Sequence, residues 1–158
     1  MVDVGDDAPD FTAPLVSDDI GPFTFSERDD DGPAVLAFFP GAFTSVCTAE
    51  MNAFQSDLAA FDDVGATVYG VSVDTPFGLQ EFRGQNDLEF GLVSDTNKEI
   101  IDAYGVTMDF ADFGYYGVAK RAVFVVDADG EITYKWASDD PGAEPDYEEV
   151  KQAAADAA

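Results

Sequence analysis

The feature that most constrains the fold is a wholly apolar run, Ala34–Phe39, which lies between Pro33 and Pro40. A short run of this kind, bounded by prolines, predicts a β-strand that is buried on both faces and lies inside the core. It is far shorter than the ~20 residues that a helix needs to cross a bilayer. The chain is therefore expected to build a sheet around this strand, and no membrane partner is predicted.

Strands and helices alternate along the rest of the chain. One helix is predicted from a cap at Thr44 or Ser45 to about residue 61, a second begins at Pro76, and a third spans about 96–103. Further strands are predicted at 66–73, 90–93, 121–126 and 131–136, with a tight turn at 127–130 and a last helix from about residue 146. The buried stripe of the first helix is predicted to be Met51, Phe54, Leu58 and Phe61.

This order of elements predicts an α/β fold with a mixed central sheet flanked by helices, in which crossovers join parallel strands and one pair forms a hairpin. The pattern is compatible with a thioredoxin-like fold, and a flavodoxin-like fold fits the periodicity nearly as well. No repeat or flexible linker divides the chain, so residues 1–158 are interpreted as a single domain.

The charge balance is strongly acidic, because 24 Asp and 9 Glu oppose 7 Lys and Arg and give a formal net charge of −26. Such a chain repels phosphate backbones and anionic membranes, which argues against a nucleic-acid partner. The acids are spread over the full length, which favours adaptation to high salt over an acidic interaction surface. Residues 1–11 lack the basic and apolar regions of a signal peptide, and a cytoplasmic location is expected.

Histidine is absent, and Cys47 is the only cysteine. These two facts exclude Ser-His-Asp triads, Cys-His hydrolases, histidine-ligated metals, an internal disulfide and a cysteine-rich zinc site. No glycine-rich phosphate-binding motif is present. No cofactor and no metal is therefore expected.

Cys47 follows the predicted central strand and falls in the first turn of the next helix. Free N–H groups and the positive end of the helix dipole favour a thiolate at such a position. Thr44 can place its hydroxyl beside the sulfur or simply cap the helix, and Pro40 fixes the chain at the pocket wall. The alternative is a small buried cysteine without reactivity, the common state of a free cysteine, but its position after a proline and a threonine favours the reactive interpretation.

A fixed arginine beside the sulfur would favour the thiolate and polarise a substrate oxygen. Arg121 is preferred over Arg28 and Arg83 because it opens an apolar strand that is expected in the central sheet. The alternative for Arg121 is an ion pair at the surface. Glu50, one turn after the cysteine, either orients Arg121 or is an acid favoured by the helix dipole.

Pro40, Thr44 and Cys47 have the spacing Pro-x-x-x-Thr-x-x-Cys. By this motif, and by Arg121 in a later strand, the chain resembles the peroxiredoxins. The order of elements is similar to that of the family over most of the chain. The single cysteine, the compact length and the segment 136–141 are similar to the small one-cysteine, alkyl hydroperoxide reductase E-like members.

The resemblance implies a thioredoxin-like fold and a thiol-dependent peroxidase that reduces hydrogen peroxide or organic hydroperoxides. It implies that the Cys47 thiolate attacks the terminal peroxide oxygen and becomes a sulfenic acid, with Thr44, Arg121 and Pro40 as the other catalytic residues. Because the chain has no second cysteine, an external thiol or a thioredoxin-like reductant is expected to regenerate the enzyme.

Two other functions stay open at this point: a thioredoxin-fold binding or scaffold protein with an inert cysteine, and a thiol-transfer enzyme that forms mixed disulfides. A scaffold has no need of this set of residues, and a thiol-transfer enzyme usually carries proline or cysteine where this chain has Thr48. A homodimer is also predicted. An aromatic cluster before Arg121 is expected in the core, in a loop over the pocket or in a contact between two copies; it comprises Phe110, Phe113, Tyr115 and Tyr116.

Overall fold

The computed structural model describes residues 1–158 and contains nine strands, five α-helices and two short 3₁₀ helices, Phe25–Glu27 and Ala111–Phe113. The strands are β1 (Thr12–Val16), β2 (Ile20–Thr24), β3 (Ala34–Phe38), β4 (Thr67–Ser72), β5 (Gly91–Ser94), β6 (Thr107–Phe110), β7 (Tyr115–Ala119), β8 (Arg121–Val126) and β9 (Ile132–Ser138). The helices are α1 (Ser45–Ser56), α2 (Leu58–Asp63), α3 (Pro76–Gln85), α4 (Glu99–Tyr104) and α5 (Tyr147–Ala157).

Seven strands form one mixed sheet in the order β2-β1-β5-β4-β3-β8-β9, and β6 and β7 form a separate hairpin. β3 is parallel to β4 and antiparallel to β8, and β8 and β9 form the predicted antiparallel hairpin. The structure therefore confirms an α/β fold with a mixed central sheet flanked by helices. The antiparallel pairing of β3 with β8 excludes the flavodoxin-like alternative, whose sheet is parallel.

All residues of β3 are buried, as its apolar run predicts. Val35 and Ala37 face one apolar cluster while Leu36 and Phe38 face the other, because successive side chains of a strand point to opposite faces of the sheet. Side chains from α1, α2, α3 and α5 cover the first face, and side chains from α4 cover the second. The strand that leads to Cys47 is thus fixed from both sides.

Local capping chemistry starts two helices where the sequence predicts them. The Thr75 hydroxyl accepts a hydrogen bond from the Gly78 N–H (3.1 Å), and Pro76 occupies the first turn of α3. The Asp146 carboxylate accepts hydrogen bonds from the N–H groups two and three residues later and so caps α5. None of the helices is long and apolar enough to cross a membrane.

The prediction of one helix up to residue 61 is wrong, because the segment forms α1 and α2 with a break at Asp57. Asp57 has φ −94° and ψ 2°, which interrupts the helical backbone. Its carboxylate lies 3.4 Å from Lys151 Nζ on α5. The ring centres of Phe54 and Phe61 lie 6.0 Å apart, and the predicted apolar stripe still packs into one cluster.

The sequence pattern does not predict β1, β2, β6 and β7. Pro14 and Pro22 lie opposite each other in the β1–β2 pair at one edge of the sheet, where a proline is tolerated. The β6–β7 pairing shifts register between Met108 and Phe110, which breaks the alternation that marks a regular strand. α4 begins three residues later than predicted, because the Asp95 carboxylate caps it by accepting hydrogen bonds from N–H groups of its first turn.

Candidate active site

Cys47 lies in the first turn of α1, as predicted. The first hydrogen bond of the helix runs from the Thr48 N–H to the Thr44 carbonyl oxygen (2.9 Å), so the N–H groups of Val46 and Cys47 have no partner within the helix. The Cys47 side chain is buried. The sulfur therefore lies at the positive end of the helix dipole, next to N–H groups that are free to bind an anion.

Arg121 contacts the sulfur directly. Antiparallel pairing places Phe38 opposite Ala122, so the start of β8 lies beside the end of β3, where the chain turns toward α1. From this position the Arg121 Nη2 lies 3.1 Å from the Cys47 Sγ. Only 1% of the arginine is exposed, which makes the alternative of a surface ion pair wrong. The guanidinium therefore places a positive charge beside the sulfur in the interior of the protein.

Glu50 orients Arg121 from the next turn of α1, which decides between the two interpretations of this residue. The Glu50 Oε1 lies 3.2 Å from the Arg121 Nη1, while its Oε2 has no hydrogen-bond partner. Burial raises the pKa of Glu50 to about 8, against the opposing effect of the Arg121 charge. A carboxyl that keeps its proton does not neutralise the guanidinium, so the positive charge of Arg121 stays available to the sulfur.

The loop before α5 holds Arg121 from a third side. The Pro141 carbonyl oxygen accepts hydrogen bonds from the Arg121 Nη2 (2.9 Å) and Nε (3.3 Å). The sequence gives no signal for this contact, because any residue carries a carbonyl oxygen. Arg28 and Arg83 make their contacts elsewhere in the fold, so neither belongs to this site.

Thr44 lies beside the site, but its hydroxyl bonds differently from the prediction. It occupies the N-cap position of α1 without a side-chain cap, and its Oγ1 donates to the Gly41 carbonyl oxygen at 2.9 Å. The expected hydrogen bond from the hydroxyl to the Cys47 sulfur is not formed. The hydroxyl oxygen keeps its lone pairs for a donor that enters the pocket. Pro40 is buried at the start of the same loop.

A pocket of about 400 Å³ opens at this site, and Arg121 is among its lining residues. Phe110 and Phe113 line it as well, which confirms that part of the aromatic cluster covers the pocket. Core packing is wrong for Phe113, which is 78% exposed. The remaining lining residues are Phe43, Thr44, Ser45, Val46, Pro141 and Gly142.

The sequence and the fold of this chain have counterparts in known proteins. The model of the AhpC/TSA family matches residues 4–135. A chloroplastic 2-cysteine peroxiredoxin of Chattonella marina var. antiqua is 38% identical over 139 residues, which cover 83% of this chain and 68% of the relative. Alkyl hydroperoxide reductase C of Buchnera aphidicola is 35% identical over 151 residues, which cover 89% of this chain and 73% of the relative.

Solved structures agree with these relatives. The structure of Mycobacterium tuberculosis AhpC has a TM-score of 0.83 and 29% identity, and the alignment covers 97% of this chain and 91% of that chain. The crystal structure of peroxidoxin BcpB from the same organism has a TM-score of 0.82 and 27% identity, over 95% and 94% of the two chains. The likeness confirms the thioredoxin-like fold. With the family match spanning residues 4–135 and two relatives above 30% identity, the chain belongs to the AhpC/TSA family, that is, to the peroxiredoxins.

Proposed function

We propose that Cys47 is the nucleophile with which this peroxiredoxin reduces its substrate, and that Arg121, Thr44 and Pro40 complete the catalytic site. Thiol-dependent peroxide reduction is the activity of the family to which the chain belongs. The observation that carries the assignment to Cys47 is the 3.1 Å contact between its sulfur and the buried Arg121 Nη2. An inert cysteine in a scaffold protein has no need of a buried cation beside it, because burying that charge is unfavourable without a use for it.

The proposed reaction is an in-line displacement. A lone pair of the Cys47 thiolate forms an S–O bond with the terminal peroxide oxygen, and the O–O bond breaks with both of its electrons on the departing oxygen. Sulfur is oxidised to the sulfenic acid, and the peroxide is reduced to alkoxide or hydroxide, which takes a proton from solvent. Arg121 and the N–H groups at the start of α1 are donors that stabilise the charge as it moves from sulfur to the leaving oxygen. The Thr44 oxygen accepts a hydrogen bond from the O–H of the peroxide.

The pocket supports both hydrogen peroxide and organic hydroperoxides as substrates. Its polar groups lie at the start of α1 and at Arg121, whereas Phe43, Phe110 and Phe113 supply apolar surface. The polar end binds the peroxide group, and the apolar side chains accommodate the organic substituent.

Regeneration requires a thiol from outside the chain, since Cys47 is the only cysteine in these 158 residues. The single cysteine is consistent with the one-cysteine subtype. An external thiol attacks the sulfenic sulfur, a mixed disulfide forms and water leaves, and a second thiol then releases the Cys47 thiolate. A thioredoxin-like protein or a small thiol serves as the reductant.

Stopped-flow oxidation of the reduced protein tests the assignment. Wild type should consume about one equivalent of peroxide when no thiol is added, and mass spectrometry should find the sulfenic acid at Cys47. Cys47→Ser should consume none, and Arg121→Lys should slow the reaction on the order of 10²-fold, because lysine lacks the planar fork. Arg83→Lys is the matched control and should react at the wild-type rate. Peroxide consumption by Cys47→Ser equal to that of wild type would overturn the proposal.

We also propose that the chain forms a homodimer. The support is the exposure of aromatic side chains on the β6–β7 hairpin and the turn within it: Phe113 is 78% and Tyr116 is 59% exposed. Exposed aromatic side chains are enriched in contacts between proteins. Sedimentation equilibrium should give the mass of two chains for wild type and a weaker association for Tyr116→Ser, while a wild-type monomer at all concentrations would contradict the dimer.

A further inference from the structure

The loop between β3 and α1 contains a strained residue. Phe43 has φ +67°, in the left-handed region that a bulky side chain rarely adopts. Such a conformation persists only where surrounding contacts over-determine it. The Phe43 ring packs edge-on against Phe82, with 5.5 Å between the ring centres, but that contact fixes the side chain and not the backbone.

The backbone contact comes from Asp74, which follows β4. The Asp74 Oδ2 accepts a hydrogen bond from the Ala42 N–H at 2.8 Å, directly before the strained residue. The same oxygen accepts a second bond from the Ser72 hydroxyl at 2.6 Å, and Ser72 is fully buried. One carboxylate oxygen therefore connects the end of β4 to the loop that presents Thr44 and Cys47.

Asp74 is itself held by the next strand of the sheet. Its carbonyl oxygen accepts hydrogen bonds from the Ser94 hydroxyl at 2.6 Å and the Thr96 hydroxyl at 3.3 Å. β3, β4 and β5 are parallel neighbours, so their carboxyl ends lie at one edge of the sheet. The loop after β3 is thereby fixed to the ends of β4 and β5 as well as to the end of β3.

The charge of Asp74 does not explain its presence here. Burial raises the pKa of Tyr115, and the charges of Asp74 and Cys47 raise it further. A carboxylate close to a thiolate disfavours the thiolate. What Asp74 contributes is its hydrogen-bond acceptor at the Ala42 N–H.

We propose that Asp74 is a positioning residue for peroxide reduction, whose carboxylate holds the loop 40–44 in its strained conformation so that Thr44 and the N–H groups at the start of α1 face the substrate. This inference rests on the proposed function of Cys47. The Asp74 side chain itself touches none of the reacting atoms.

Three variants separate positioning from stability and from charge. Asp74→Ala removes the acceptor and should lower the second-order rate constant for peroxide reduction by roughly 10- to 100-fold, since small misplacements of reacting groups have effects of this size. Asp74→Asn keeps an oxygen that can accept both bonds, and should restore the rate to within about threefold of wild type. Tyr104→Phe removes a buried hydroxyl that donates to the Pro9 carbonyl oxygen (2.8 Å), and Tyr104 packs in the apolar cluster on the other face of the sheet from Cys47. This variant controls for stability: its melting temperature should fall while its rate constant stays at the wild-type value.

Thiolate formation, followed by ultraviolet absorbance across pH, is a second measurement. Both Asp74 variants lack the negative charge and only Asp74→Ala lacks the acceptor, so Asp74→Ala should show less thiolate than Asp74→Asn at the same pH. If Asp74→Ala does not fold, Ser72→Ala replaces it, because it removes the hydroxyl that fixes the carboxylate; its rate should fall as well. A wild-type rate in Asp74→Ala overturns the proposal, as does a wild-type rate in Ser72→Ala where that variant takes its place. An equal loss of rate in Tyr104→Phe or in Asp74→Asn also overturns it. The proposed function fails separately, through peroxide consumption by Cys47→Ser.

Discussion

Replacing Glu50 by glutamine tests how the buried site holds its charge. Glu50 is fully buried, and its pKa is raised from 4.5 to about 8, chiefly by burial. In the unfolded chain the carboxyl loses its proton near its ordinary pKa, whereas the native protein retains it up to about pH 8. The native state therefore binds more protons between these values. The stabilising contribution is fully present below pH 4.5 and is lost as the pH rises through about 8.

The magnitude follows from the two pKa values. Each unit of difference corresponds to about 1.4 kcal/mol. As the pH rises from below 4.5 to above about 8, the loss of the Glu50 contribution should therefore lower the free energy of unfolding by about 5 kcal/mol. Glu50→Gln keeps the shape of the side chain and removes the titration. The stability of the variant relative to wild type should therefore increase by about 3 kcal/mol between about pH 5 and about pH 7.

Urea unfolding of both proteins at constant ionic strength measures this difference. The raised pKa of Asp95 is common to both proteins and cancels. Glu81→Gln on the exposed face of α3 removes a negative charge from the surface and controls for net charge. A difference between wild type and Glu50→Gln that stays constant over this pH range would refute the reasoning, because it would mean that the ion pair with Arg121 outweighs burial and keeps Glu50 ionised.

Three further predictions concern the pocket, the core and the surface. Thr44→Val should slow peroxide reduction about tenfold in stopped-flow assays, because it removes one acceptor for the peroxide O–H; an unchanged rate would exclude that role. Gly70→Ala should lower the free energy of unfolding in urea by roughly 1–3 kcal/mol, because its Cβ would lie 2.6 Å from the Leu92 side chain. Gly84→Ala in α3, whose Cβ would meet no atom within 4 Å, should raise the free energy of unfolding by about 0.5–1 kcal/mol. Equal effects of the two substitutions would contradict this packing. We expect the net charge of −26 to make the melting temperature rise gradually from ~0.1 M toward molar salt, and similarly for sodium and potassium chloride. A melting temperature that is flat or falls with salt would remove the high-salt interpretation. A cytoplasmic location and a single domain stay predictions.

Local chemistry determines a large part of this protein. The apolar run before Pro40 specifies a central strand, and Thr75 and Pro76 specify the start of α3, because in both cases the signal lies in neighbouring residues. The position of Cys47 in the first turn of a helix follows in the same way. These features need no knowledge of distant contacts, so the fold class and the candidate nucleophile can be predicted from the sequence.

The sequence predicts Arg121 as the arginine beside Cys47, whereas the contact itself and the other partners of the site depend on the tertiary structure. Arg121 and Cys47 are 74 residues apart, and only the antiparallel pairing of β3 with β8 brings them together. The role of Glu50 was open until its burial against Arg121 was known, and nothing in the sequence marks Asp74 or Pro141 as contacts of the site. Strand pairing and burial depend on the packing of the whole chain, and hydrogen bonds to backbone groups carry no residue-specific signal. The sequence therefore predicts the candidate nucleophile and its arginine, and the assembled sheet determines how that arginine is held and which other groups contact it.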